Sequence, residues 1–319
     1  MRLALFLLFL AQFCPVAAEE KISQAASASE DLTPLTDDLS RADLFRLVIA
    51  AAEKENPTRG PVRRSLYQKK PFKFPADAIE QEGEPRINSI FGIDISHYTG
   101  RNFSFESLKE QNVRFVYAKA TQGVLYKDGL FGLYWHALDD LPAGKRVLRG
   151  AYHFLSSSAD GAAQADTFLN FLEKNGGLKG NDMPPVVDLE WDITQSDRTD
   201  RWQSHSPDEI IDTTLAWLKR VEEKTGRIPV VYTARTWWRE RQIPEESFDR
   251  LSHYKIWIAD YSRSARATET PPTINHSHWH LWQFSETAEL SEGYDGPVDA
   301  DLYKGTDDQF AADFQLARN

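Results

Sequence analysis

Asp188 and Glu190 stand two positions apart at the end of the apolar run Val186-Val187-Asp188-Leu189-Glu190-Trp191, which follows Pro184-Pro185. A strand sends alternate side chains to opposite faces, so both acids point the same way with Cα atoms about 6–7 Å apart. Two carboxyl groups side by side in a partly dry site resist ionising together. One keeps its proton and can donate it at neutral pH while the other stays anionic. Hydrolysis of a glycosidic bond needs that division of labour. The same pair at a strand end could instead cap the next helix or bind a cation.

The segments that must hold these acids alternate in type. Strands are expected at Ile90 to Ile95, Phe115 to Lys119, Val147 to Phe154, Pro185 to Leu189, Val230 to Thr233, Lys255 to Ala259 and His278 to Phe284. Helical apolar spacing occupies Phe105 to Gln111, Gly161 to Asn175 and Pro207 to Thr225. Alternating strands and helices predict an α/β fold with a mainly parallel sheet and enough repeats to close into a TIM-like β/α barrel. Helix signals thin out in the last third, so a regular ring of eight helices is not expected.

In such a barrel the reactive groups gather at the C-terminal strand ends. Those ends carry Asp94, Ser96 and His97; Lys119, Thr121 and Gln122; Tyr152 and His153; Asp188 and Glu190; Tyr232; Trp257, Asp260 and Tyr261; and Trp282 and Gln283. Asp299 lies just beyond, in Pro297-Val298-Asp299. The chain has no internal repeat and no glycine-rich phosphate loop, so no nucleotide cofactor is expected.

Residues 1–18 carry one charge, Arg2, an apolar stretch from Leu3 to Phe13, and small residues at Val16, Ala17 and Ala18. This pattern predicts a cleaved signal peptide and a secreted or periplasmic protein without a membrane span. The only cysteine, Cys14, lies within the leader, and Phe13 ahead of it argues against lipidation. The mature chain then lacks cysteine, which excludes thiol nucleophiles, thiolate metal sites and a disulfide scaffold. Loss of Arg2 takes the formal charge from −11 to −12, which argues against nucleic acid as a partner.

Residues 19–85 differ from the rest and form an N-terminal extension to a barrel over 86–319. Ser23 to Ser40 is low in apolar residues and predicted disordered, and an amphipathic helix with Leu44, Leu47, Val48, Ala51 and Ala52 follows. Between Thr58 and Pro75, six Lys and Arg residues occur with three prolines and no acid, a linker or an arm wrapped over the main domain. Nine tryptophans and eleven tyrosines would suit sugar stacking where their rings are exposed, although most such rings pack in a core.

Five motifs in order resemble glycoside hydrolase family 25, the Chalaropsis-type lysozymes: Phe91-Gly92-Ile93-Asp94-Ile95-Ser96-His97-Tyr98, Phe115-Val116-Tyr117-Ala118-Lys119-Ala120-Thr121-Gln122-Gly123, Gly150-Ala151-Tyr152-His153-Phe154, Val187-Asp188-Leu189-Glu190 and Leu281-Trp282-Gln283-Phe284. The resemblance covers about residues 87 to 310. It implies a flattened barrel with fewer helices than the standard form. It also implies hydrolysis of the β-1,4 bond between N-acetylmuramic acid and N-acetylglucosamine in bacterial peptidoglycan, without metal or organic cofactor; a monomer is expected. By position, Glu190 resembles the general acid, Asp188 its carboxylate partner, and Asp94 and Asp299 the family's other two cleft acids. Lys119, Tyr152, Tyr232, Trp257, Tyr261, Trp282 and Gln283 are the expected substrate-binding residues.

Three chemical routes stay open: direct nucleophilic attack, attack by an activated water, and attack by the substrate's own N-acetyl group with Asp188 orienting it. Thr99 stands where glutamine often follows the first motif, Gln122 where glutamate is usual, and Trp191 directly follows the acidic pair and could narrow the cleft. Two other readings compete. His276, His278 and His280 alternate and on a strand would share a face, as in a metal-dependent hydrolase. A barrel that binds cell-wall glycan without cleaving it is the second, opposed by the presence of all four acids.

Overall fold

The structure is a computed structural model that describes residues 71–193, 199–261 and 270–317. The leader, the expected helix near residues 40–52 and the basic run as far as Lys70 lie outside the described residues.

Eight strands close into a barrel: β1 (Ser89–Ile95), β2 (Val113–Gln122), β3 (Leu148–Phe154), β4 (Val186–Leu189), β5 (Val230–Ala234), β6 (Lys255–Ala259), β7 (Leu281–Ala288) and β8 (Val298–Lys304). Neighbours from β1 through β7 run parallel. β8 is antiparallel to both β7 and β1 and seals the barrel between them. Five helices longer than four residues occur among the described residues: α1 (Phe131–Asp139), α2 (Gly161–Lys174), α3 (Pro207–Thr225), α4 (Arg235–Glu240) and α5 (Asp307–Asp313).

Local chemistry explains the best-defined helix. Ser206 accepts from the Glu209 backbone while Glu209 reaches back to the Ser206 N–H, Pro207 opens the first turn, and Gly226 at φ 65° ends the helix. Packing explains the barrel interior. Aromatic side chains fill it, and the facing strand positions are glycines: a Cβ on Gly92 would lie 2.1 Å from the Phe115 ring and one on Gly150 2.2 Å from the Tyr117 ring.

Several expectations need correction. Phe105 to Gln111 forms turns rather than a helix, because Phe105 and Leu108 are buried and Asn112 reverses the chain at φ 62°. α1 carries no side-chain cap, although Phe131, Tyr134, Trp135 and Leu138 bury one stripe. The strand expected from His278 begins at Leu281; Asn275 and His276 have φ of 46° and 54°, so the three histidines lie in a loop and not along one strand face. β8 is a further strand beyond those expected, with Val298, Ala300 and Leu302 alternating with Asp299 and Asp301.

The outer face of β7, β8 and β1 has an unusual cover. Residues 71–79, on the extension side of the boundary at residue 86, pack there through Phe72, Phe74 and Ala78. Phe72 is fully buried with its ring 5.2 Å from Phe91 and 5.0 Å from Phe284, and Phe74 packs beside it. The Phe74 and Glu289 N–H groups donate to Glu289 and Phe72 carbonyls, adding a short parallel bridge beyond β7.

Candidate active site

Asp94 is the last residue but one of β1, and in the register it faces Asp299 of β8 directly. β8 runs against its neighbours, so its beginning lies at the rim where the parallel strands end. That reversal takes an acid from late in the chain to the reactive end of the barrel. Asp188 is the last residue but one of β4, level with Tyr232 on β5, which is level with Trp257 on β6. Glu190 follows β4 immediately. Asp94, Tyr152, Val186, Asp188, Tyr232 and Trp257 together line a small cavity at this end.

Three of the acids are almost out of water: Asp94 is 4% exposed, Asp188 4% and Glu190 6%. Asp299 is half-buried. Carboxyl groups this dry at one end of a barrel are costly to ionise all at once, which favours one of them holding a transferable proton.

The segment that follows Glu190 is fastened to two different parts of the barrel. The Trp191 indole N–H donates to Glu240 Oε2 of α4 at 2.7 Å. Asp192 is fully buried; its Oδ2 accepts from the Ser157 N–H at 2.7 Å and the Ser157 hydroxyl at 2.8 Å, and its Oδ1 pairs with Arg201 at 2.7 Å. Asp200 accepts from the Asp192 N–H and from the Trp237 indole; burial raises its pKa, opposed by Arg241 and these hydrogen bonds. Trp191 is therefore an anchored, buried ring.

The expected binding residues divide into groups. Tyr152, Tyr232 and Trp257 join the cavity, and Tyr261 is half-buried just after β6. Lys119 is level with Tyr152; its Nζ donates to Gln122 Oε1 at 2.9 Å and lies 4.6 Å from the Phe154 ring centroid. Trp282 does not join them. It is fully buried on the outer side of β7, opposite Leu302, with its indole N–H donating to the Asp260 carbonyl at 2.9 Å, and it offers no ring to a ligand. Gln283 points inward but is also fully buried, donating from Nε2 to Asp94 Oδ2 and accepting at Oε1 from the hydroxyls of Tyr232, at 2.8 Å, and Tyr261.

Two acids escaped the sequence reading. Asp301 is fully buried and accepts from the Trp257 indole at 3.1 Å; its spacing of two from Asp299 repeats the spacing of Asp188 and Glu190 and was the available signal. Asp128 accepts from the His97 ring at 2.8 Å and the His97 N–H at 3.0 Å; burial raises its pKa, but these bonds outweigh burial and hold it below the ordinary range. His153 has a structural place, pinned between Thr121 Oγ1 at 2.7 Å and Gln164 Oε1 at 3.1 Å, with burial pushing its pKa down to about 3. Among the described residues, no group of three or more His, Cys, Asp or Glu side chains could hold a metal ion.

The sequence profile of the glycosyl hydrolases family 25 matches residues 93–293, from the second half of β1 to just before β8. The chain belongs to this family. As a family 25 member it is a glycoside hydrolase. It is 30% identical to lysozyme M1 of Streptomyces globisporus over 70% of this chain and 71% of that one. It is 29% identical to the N,O-diacetylmuramidase of Arthroderma benhamiae over 68% of this chain and 87% of that one. A crystal structure of the bacterial lysozyme from Streptomyces coelicolor superposes with a TM-score of 0.59 at 27% identity, covering 71% of this chain and 97% of that one. The family 25 match and the closed eight-strand barrel thus agree.

Proposed function

We propose that this glycoside hydrolase is a muramidase, cleaving the β-1,4 bond from N-acetylmuramic acid to N-acetylglucosamine in bacterial peptidoglycan. The observation that carries the reading is the meeting of four acids from β1, β8 and the end of β4 at one rim. The lysozyme and muramidase names of its family relatives support the substrate class.

In this reading Glu190, buried and anchored through Trp191 and Asp192, donates its proton to the departing N-acetylglucosamine oxygen as the bond to C1 of the muramic acid breaks. The N-acetyl carbonyl oxygen of the same sugar attacks C1 and forms an oxazolinium ion, with Asp188 orienting the acetamido N–H and balancing the developing positive charge. Water then adds to C1, its proton returns to Glu190, and the ring opens to restore the acetamide. Asp94 and Asp299 frame the far side of the cleft, Tyr152, Tyr232 and Trp257 form its floor, and the half-buried Tyr261 stands at the rim where it can meet a sugar ring. Lys119 adds a cation at the same rim. The expected leader would deliver the enzyme, as a monomer, to the periplasm or beyond, where this polymer lies.

Mass spectrometry of purified peptidoglycan digests, reduced with borohydride to mark new reducing ends, tests the reading. The intact protein is expected to generate muramitol ends and Glu190→Gln to generate none. New glucosaminitol ends would instead assign the other glycosidic bond, and near-normal turnover by Glu190→Gln would remove the proposed acid.

A further inference from the structure

Gln283 has a different use from contact with sugar. It is fully buried in β7, so its amide has no open side from which to meet a substrate. Both lone pairs of Oε1 are taken by phenols, Tyr232 at 2.8 Å and Tyr261, and Nε2 faces Asp94 Oδ2. The three partners come from separate strands or strand ends: β5, the end of β6, and β1.

The chemistry of the partners selects the amide's orientation. A carboxylate only accepts, so it must be met by N–H; a phenol can donate, so it can meet the carbonyl. Turned the other way, Oε1 would face a carboxylate oxygen and repel it. The chosen orientation aligns every donor in one direction, from two phenol O–H groups, through C=O and N–H of one amide, to a carboxylate. Chains of this kind polarise each member, so two donors on Oε1 make the N–H a better donor.

We infer that Gln283 is a positioning residue, held by Tyr232 and Tyr261, whose side-chain amide keeps Asp94 an oriented carboxylate in the cleft. This rests on the proposed function only in taking Asp94 as a working acid. A donor to the charged form favours that form, so removing it makes Asp94 take up a proton at higher pH. The phenols act one step farther back and therefore act more weakly. Tyr261 is half-buried at the rim, which makes it the member of the chain most easily altered without disturbing the core.

The test is the pH dependence of kcat and kcat/KM on purified peptidoglycan, with melting temperature measured in parallel, for Gln283→Leu, Gln283→Glu, Tyr232→Phe and Tyr261→Phe. Gln283→Leu is expected to lose about 100-fold in kcat and to move the acid limb upward by about one pH unit, with KM little changed. Each Tyr→Phe change moves the limb the same way with a loss of several-fold. Gln283→Glu cannot donate once ionised, so it is expected to lose activity at neutral pH and recover part of it under mild acid.

Acid limbs at the wild-type position overturn the inference, as does a change confined to KM, which would return Gln283 to substrate contact. If Gln283→Leu does not fold, Tyr261→Phe decides alone: an unmoved limb rejects the chain. Asp94→Asn separates the two levels of interpretation. If that variant is nearly fully active, the assignment of Asp94 falls; if it is inactive while the Gln283 and Tyr261 profiles stay put, only the positioning role falls.

Discussion

The barrel has two sides that obey different rules. From β1 to β6 each strand runs parallel to the last, and α1, α2, α3 and α4 follow β2, β3, β4 and β5 along the chain. Among the described residues no helix separates β7 from β8, and only the short α5 follows β8; a reversed strand closes the sheet, and the segment around Phe72 covers β1 and β7. The parallel side contributes Asp188 and Glu190 by the ordinary logic of strand ends. The closing side contributes Asp299 only because β8 is reversed. One rim thus draws on a locally encoded half and on a half that depends on contacts between distant parts of the chain.

The strongest way to break this contrast is to remove the unusual cover. Deleting residues 1–70 leaves Phe72 and Phe74 seated, whereas deleting 1–85 strips both from the sheet. Each buried phenylalanine is worth about 3–5 kcal/mol against a total stability of about 5–15 kcal/mol, so the longer deletion is expected to lose cooperative unfolding near room temperature. Thermal circular dichroism checks this; equal melting temperatures would show that the cover contributes nothing. Phe72→Ala alone is expected to lower stability by about 3–5 kcal/mol in the full chain.

Acid sharpens the comparison from the other side, since His153 is packed against Trp217 of α3 and bonded to Gln164 of α2. Its folded pKa of about 3 lies below the ordinary 6.5, so between those values the unfolded chain takes up a proton that the folded chain refuses. Stability from this group is full above about pH 6.5 and falls as pH drops toward 3, by up to about 5 kcal/mol. Urea unfolding at pH 7 and pH 4 should show the loss, and His153→Gln should flatten it. Hydrogen exchange under mild acid should report opening first among β3, α2 and α3.

The two sources of acids should also differ in kinetics. Asp299 is half-buried whereas Asp188 is nearly fully buried, so Asp299→Asn is expected to cost about 10-fold in kcat and Asp188→Asn at least about 100-fold. Equal losses would place both acids at the same step. The smallest effect belongs to the exposed Arg114–Asp307 pair at 2.9 Å, where Arg114→Ala should change the unfolding free energy by less than about 0.5 kcal/mol.

Legibility followed the same division. α3 was readable to the residue because its cap, its opening proline and its closing glycine are all local signals. Asp188 and Glu190 stood out because two acids at a spacing of two end an apolar run. β8 was not readable, because its alternation is inverted: the acids Asp299 and Asp301 take the face toward the barrel interior, where apolar residues are usual, and only the closed sheet shows which face that is. Trp282 and Gln283 are neighbours assigned to the same binding role, yet one packs outward and the other serves Asp94. Parity along β7 separates them, and the strand's start was misplaced by the three histidines.

By itself the sequence determined the family and the alternating plan of the parallel strands, and it singled out the candidate acids, because periodicity, capping and motif spacing act over short stretches of chain. The tertiary structure decided the rest: the reversal of β8 that sets Asp299 against Asp94, the cover of the closing side by residues 71–79, and the hydrogen bonds that give Gln283 its orientation. Each joins segments far apart in the chain, and a contact of that kind follows from which surfaces and donors remain unsatisfied once the local elements have formed, a condition that only the assembled barrel defines.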